Sequence, residues 1–100
     1  IINIIELKKI PKDINLYKGK FGLFFQNNLK KLSDITKFVD RSCQTITYLG
    51  LNKNQLIKLT KNKNLNGVDR CVNIGNSLEM NYIWDGIDLR ESLTRNITIV

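Results

Sequence analysis

One hundred residues support at most one small domain, and no apolar run reaches the roughly 18 residues that a membrane helix needs. An apolar fraction of 42% predicts a globular core and excludes a disordered chain. The net charge of +7 invites a nucleic-acid-binding reading, but the lysines are scattered and no nucleic-acid motif accompanies them, so they read as solvated surface. Ile, Asn and Lys are abundant together, a bias that an AT-rich genome produces whatever the function.

The first residues, Ile1 to Glu6, lack a basic leader and a cleavage site, so no signal peptide is expected. Position 1 is not Met, and the chain is read as starting inside a longer polypeptide. Ile2 to Leu7 is β-branched and predicts a first strand. Lys8 to Asp13 is a connection, because Pro11 removes a backbone donor and pushes Ile10 away from helix. After Gly19, the run Phe21 to Gln26 predicts a second, mostly buried strand, with Gly22 marking a bulge or a close backbone approach.

Ser33 is the expected N-cap of a short amphipathic helix to about Asp40, with Asp34 at its positive end and Leu32, Ile35, Phe38 and Val39 near helical spacing. Cys43 to Leu49 predicts a third strand, closed by Gly50. Asn52 caps the next helix, whose buried stripe is Leu56, Ile57 and Leu59 and whose wet face is Lys53, Lys58 and Lys61. Asn64 and Gly67 are C-terminal stops. A strand from Asp69 to Ile74 comes next, and strand-helix-strand logic places it parallel to the third. A short helix is expected from about Asp88 to Leu93. Ile97 to Val100 predicts a last strand with an apolar edge that another segment or subunit must cover. No repeat, linker or internal domain boundary is visible between residues 1 and 100, and the fold class is α/β with a mixed, mostly parallel sheet and flanking helices.

The candidate site lies on Gly67 to Gly75 and its continuation to Gly86. Two glycines bracket an apolar run too short for a helix, and Gly75-Asn76-Ser77 is a turn leaving the carboxyl end of a strand, where open α/β sheets bind ligands. Trp84-Asp85-Gly86 is close enough in sequence to fold back over that end. A side chain at position 75 would block close ligand approach. Trp84 reads equally as the wall of a pocket or as a core anchor. Arg70 is a candidate anion contact, weighed against an ion pair at the strand's start, which is the favoured reading.

No complete catalytic set is present. The chain has no histidine, no Gly-rich dinucleotide fingerprint and no phosphate loop. Asp85 and Asp88 lie three apart, a spacing commoner for capping or solvated pairs than for an acid-base dyad. Cys43 and Cys71 form no Cys-x-x-Cys pair and read as small buried hydrophobes rather than a disulfide or a nucleophile. No metal site is expected.

Gly-Val-Asp-Arg-x-Val-x-Ile-Gly at Gly67 to Gly75, Trp-Asp-Gly-x-Asp-Leu at Trp84 to Leu89 and Ser-Leu-x-Arg at Ser92 to Arg95 resemble the C-terminal end of the acyl-CoA reductase family. That family includes the LuxC-type fatty-acid reductases of bacterial bioluminescence. Gly22 to Phe25 and Cys43 to Gly50 match in the same order, so the likeness runs from about Gly19 to Arg95. The resemblance implies part of an aldehyde dehydrogenase-like catalytic domain in a cytoplasmic enzyme that reduces an activated fatty acyl group to its aldehyde. In that family a cysteine takes the acyl group as a thioester and NADPH delivers hydride. Neither Cys43 nor Cys71 sits in the nucleophile's context, so the catalytic cysteine and most of the NADPH site would lie elsewhere in a parent chain. By position, the resemblance puts Gly75, Trp84, Asp85 and Gly86 near the acyl pocket or a subunit contact. The partners it implies are acyl-CoA or an acylated protein as substrate, the rest of the parent chain, and further copies in a homo-oligomer. The segment alone would be inactive. The alternatives are a small basic nucleic-acid-binding module and a non-catalytic assembly domain.

Overall fold

The computed structural model describes residues 1–100 and contains helices and short strands arranged in three separate two-stranded sheets. Strand β1, Asn3–Glu6, pairs in parallel with β2, Leu23–Gln26. Strand β3, Thr45–Tyr48, pairs in parallel with β4, Arg70–Asn73. Strands β5, Ile83–Trp84, and β6, Ile87–Asp88, form an antiparallel hairpin. Helix α1 spans Lys53–Thr60 and crosses from β3 to β4, while α2 spans Leu89–Leu93. The expected crossover is therefore present, but no single larger sheet gathers the strands.

Each parallel pair is extended slightly by backbone bonds beyond the strands. Asn3 N–H donates to Gly22 O at 2.8 Å and Leu7 N–H to Gln26 O at 2.7 Å. Asp69 N–H donates to Gln44 O and Ile74 N–H to Tyr48 O, both at 2.9 Å. The close approach expected at Gly22 is real. Its φ is +80°, and a Cβ there would stand 2.6 Å from Ile1 O. Phe21, expected inside the second strand, instead lies outside it at φ +54° with an exposed ring. The strand is half-buried in alternation rather than mostly buried.

Helix α1 begins where its sequence requires. Asn52 Oδ1 accepts from Gln55 N–H, and Gln55 Oε1 accepts from Asn52 N–H, both at 2.9 Å. Two of the orphan donors at the helix start are thereby satisfied reciprocally. Asn52→Ala should cost about 1 kcal/mol of helix stability and raise the amide exchange rate of Gln55. Unchanged exchange at Gln55 would show that the box is not formed in solution. Of the stripe read on α1, Leu59 is buried, Leu56 half-buried and Ile57 exposed.

The first expected helix, from Ser33 to about Asp40, is corrected. Residues Leu32–Lys37 form a 3₁₀ helix whose N-cap is Lys31, not Ser33, and no side chain caps it. Ser33 lies inside the first turn, where its carbonyl accepts from Thr36 Oγ1 at 2.8 Å. Asp34 pairs with Lys37 Nζ at 2.9 Å, three residues on. A further 3₁₀ turn forms at Ile14–Leu16, where the sequence suggests only a connection after Pro11. Ile97 to Val100 forms no strand. With no partner to complete a ladder, β-branched residues there stay irregular and exposed.

The larger correction concerns the core. Only Leu59 and Thr36 are buried, so the apolar residues counted toward a core lie mostly on the surface. Two-stranded sheets have no central strand to bury, and the β1–β2 and β5–β6 pairs leave apolar residues exposed, Ile4, Ile5 and Phe24 in the first and Ile83 and Ile87 in the second. The molecule extends 64 × 31 × 26 Å with a radius of gyration of 17.1 Å. A compact chain of this length would have a radius near 13 Å, by the usual size scaling.

Candidate functional site

Strand β4 starts three residues after a backbone crossing at Gly67. Gly67 sits at φ +95°, and a Cβ there would collide with Arg41 Cα, Asp40 O (2.7 Å) and Arg41 N (2.8 Å). A residue with no side chain is what lets the 67–69 segment pass over the 40–41 backbone. The chain then runs through Arg70 to Asn73 and reverses at Gly75, φ +93°, with Asn76 N–H donating to Asn73 O at 3.0 Å. The turn expected there is present. Nothing lies within 4 Å of a Cβ built on Gly75, so that end of the strand is open.

Arg70 anchors the segment from Ser77 to Trp84. Its guanidinium donates from Nη1 to Ser77 O and from Nη2 to Glu79 O, each at 3.1 Å. Its Cζ lies 4.3 Å from the centre of the Trp84 ring. The returning loop and the hairpin are therefore fastened to the start of β4. No ion pair joins Arg70 to Asp69, which corrects the favoured reading. Two of the five N–H donors of the guanidinium are engaged by these carbonyls, and its face is against the indole ring.

Trp84 consequently packs over the side chain of Arg70, the first residue of β4, whereas Gly75 follows its last, Asn73. Asp85 and Gly86 form the two-residue corner of the β5–β6 hairpin, at φ +51° and +77°. Two positive φ values in succession are the signature of a type I′ turn, for which Asp-Gly is a preferred pair. That dipeptide is legible in the sequence as a hairpin signal. Gly86 also lies against Asp69, whose Oδ1 is 3.1 Å from where a Cβ would stand.

The acids do not form a dyad. Asp88 is the N-cap of α2, accepting from Arg90 N–H at 2.9 Å, Arg90 Nε at 3.1 Å and Arg90 Nη2 at 2.7 Å. The hydrogen bonds from Arg90 hold its carboxyl below the usual carboxylate range. A general acid requires the opposite shift, so Asp88 is suited to capping rather than to proton donation.

Both cysteines are free and half-buried. Burial pushes the Cys71 thiol up, which lowers the thiolate fraction that a nucleophile needs. At pH 8, iodoacetamide should modify Cys71 several times more slowly than it modifies glutathione. An equal or faster rate would mean that the thiol is not shielded. Cys43 Sγ donates to Asn15 Oδ1 at 3.4 Å, and Asn15 Nδ2 donates to Asp40 Oδ2 at 2.6 Å. Asp40 also accepts from the Ser42 hydroxyl and amide, and those bonds hold its carboxyl below the usual range. This cluster contains no base for a thiol. No group of three or more Cys, Asp or Glu side chains could hold a metal ion.

Two clefts have no residue of the 67–86 stretch in their linings. One, of about 660 Å³, borders Asn15, Tyr17, Asp40 and Ser42. The other, of about 370 Å³, lies between residues 31–33 and one face of α1. The sequence reading marks no residue of the second as a site, although Gln55, Lys58, Leu59 and Asn62 follow the i, i+3, i+4, i+7 spacing of a single helix face. No helix is long and apolar enough to cross a membrane. No protein-family model, curated protein or solved structure matches this chain.

Proposed function

We propose that this chain is the C-terminal portion of an NADPH-dependent acyl-CoA reductase of the cytoplasm, and that it contributes structure rather than reacting groups. The observation that carries this reading is uncovered surface. The chain exposes 9116 Å², where a compact monomer of its 11.6 kDa would expose about 5,800 Å². The excess, about 3,300 Å² on one chain, is well above the roughly 800 Å² that each partner gives to a standard interface. Ile2, Ile4, Phe21, Phe24, Leu78 and Met80 are all more than half exposed. Such a surface suits a segment whose strands and apolar faces are completed by the rest of a catalytic body, or by further copies in a homo-oligomer. Acyl-CoA or an acylated protein would then meet its cysteine nucleophile and NADPH outside these residues. Gly75, Trp84, Asp85 and Gly86 would shape neighbouring backbone, and Arg70 would hold the hairpin in place.

The mass of the native product in a cell extract tests this. A product several times heavier than 11.6 kDa, which consumes NADPH when given an acyl-CoA, is the expected result. A native product of 11.6 kDa removes the reductase reading. The same exposed surface then favours the assembly domain, which would self-associate and bind no nucleotide.

A further inference from the structure

The 370 Å³ cleft between residues 31–33 and α1 lies at the best-packed point of the chain. Leu59, one of the two buried residues, lies in its lining, and Thr36, the other, is bonded to the carbonyl of Ser33 at its rim. The lining contains two lysines, Lys31 and Lys58, and no acid. Neither lysine has an ion-pair partner. Asp34, one residue past Ser33, takes Lys37 as its partner, although its carboxyl also feels the charge of Lys31.

The polar groups of the cleft are biased in one direction. Gln55 Oε1 accepts from Asn52 N–H, and Asn62 Oδ1 accepts from Asn64 N–H at 3.0 Å. Only an amide oxygen can accept these bonds, which fixes the orientation of both side chains. The amide NH₂ groups of Gln55 and Asn62 make no hydrogen bond within the chain, and nor does the Ser33 hydroxyl. The lining residues thus include two lysines, two side-chain amides whose oxygens are engaged elsewhere and whose NH₂ groups are not, and a serine, while the lysine stems and the two leucines make much of the surface apolar. The polar set is complementary to a ligand with two negative charges and many acceptor oxygens. Leu32 and Leu59 add an apolar patch, and the volume falls within the ordinary range for small-molecule sites.

From this convergence we propose that the cleft binds a small phosphorylated molecule, with its phosphate between Lys31 and Lys58 and any organic group against Leu32 and Leu59. The inference does not rest on the reductase reading, since none of these residues belongs to the 67–86 stretch.

The test is isothermal titration calorimetry of the native full-length product at physiological salt, with inorganic pyrophosphate as one probe and ADP as the other. Saturable binding of at least one probe at a single site is expected. Lys31→Gln combined with Lys58→Gln should weaken it at least tenfold, and Lys31→Arg should retain it. Lys9→Gln combined with Lys20→Gln, which removes the same charge elsewhere, should leave it unchanged. Tighter binding of ADP than of pyrophosphate supports a phosphorylated organic ligand, and equal affinity supports the phosphates alone as the recognised group. Circular dichroism confirms that the exposed lysine substitutions leave the fold intact. Failure of both probes to saturate overturns the proposal. So does an equal loss in the two double variants, which would mean diffuse attraction to a basic surface, as for a nucleic acid. Either result leaves the reductase reading standing, because that is tested by product mass and NADPH consumption.

Discussion

Gly67→Ala should abolish the pairing of β3 with β4 while leaving β1 and β2 together. The substitution places a methyl group inside the 40–41 backbone, and neither wall of that crossing is a flexible side-chain tip. It also imposes an L side chain at φ +95°, outside the regions that alanine occupies readily. Strain and overpacking together amount to about 3 kcal/mol. In a chain with two buried residues, little else holds that pair in register. Amide exchange gives the measurement. The N–H groups of Asp69 and Ile74, bonded to Gln44 O and Tyr48 O, should lose protection, while those of Asn3 and Leu7 keep theirs. Gly75→Ala is the matched control. It carries the same backbone penalty at φ +93° but meets nothing within 4 Å, so it should cost only about 1–2 kcal/mol. If the two variants behave alike, the crossing at 40–41 is not a close contact in solution.

Interactions confined to a few residues are readable in the sequence, and those that depend on a distant partner are not. Asn52 and Gln55 form a capping box within four residues, so their chemistry is complete before any tertiary contact exists. The turn at Gly75 and the parallel pairing of the strands flanking α1 are nearly as local. Ile97 to Val100 shows the opposite case. Its β-branched residues favour extended backbone, but a strand exists only when a second chain segment supplies the ladder. Ser33 carries good capping chemistry, yet the N-cap is Lys31, three residues before the Asp34 that pairs with Lys37. The candidate site is less legible for a geometric reason. Gly75 and Trp84 are nine positions apart, and where Trp84 lies against β4 depends on its contact with Arg70, which no local pattern announces.

Arg70→Ala should release the hairpin, and Arg70→Lys should restore little of it. The guanidinium makes three contacts at once: two parallel donations, to Ser77 O and Glu79 O, and a face-on approach to Trp84. Charge-assisted hydrogen bonds and a cation–π contact at a half-buried site together contribute about 2–3 kcal/mol. An ammonium can reach one of the carbonyls, but it has no plane to lay on the indole and no second donor at the right spacing. Trp84 is the only tryptophan, so its fluorescence reports this junction without interference. Emission should move to longer wavelength in both variants, as water replaces the guanidinium on the ring, and Leu89 N–H should exchange faster as its bond to Tyr82 O frays. A lysine variant with native emission would reduce the junction to charge alone. An alanine variant with native emission would mean that Trp84 is held by something other than Arg70. The expected result makes Arg70 a positioning residue: its hydrogen bonds set where Asp85 and Gly86 lie relative to β4. Any surface that the hairpin offers to a larger catalytic body is then set by one side chain at the start of that strand.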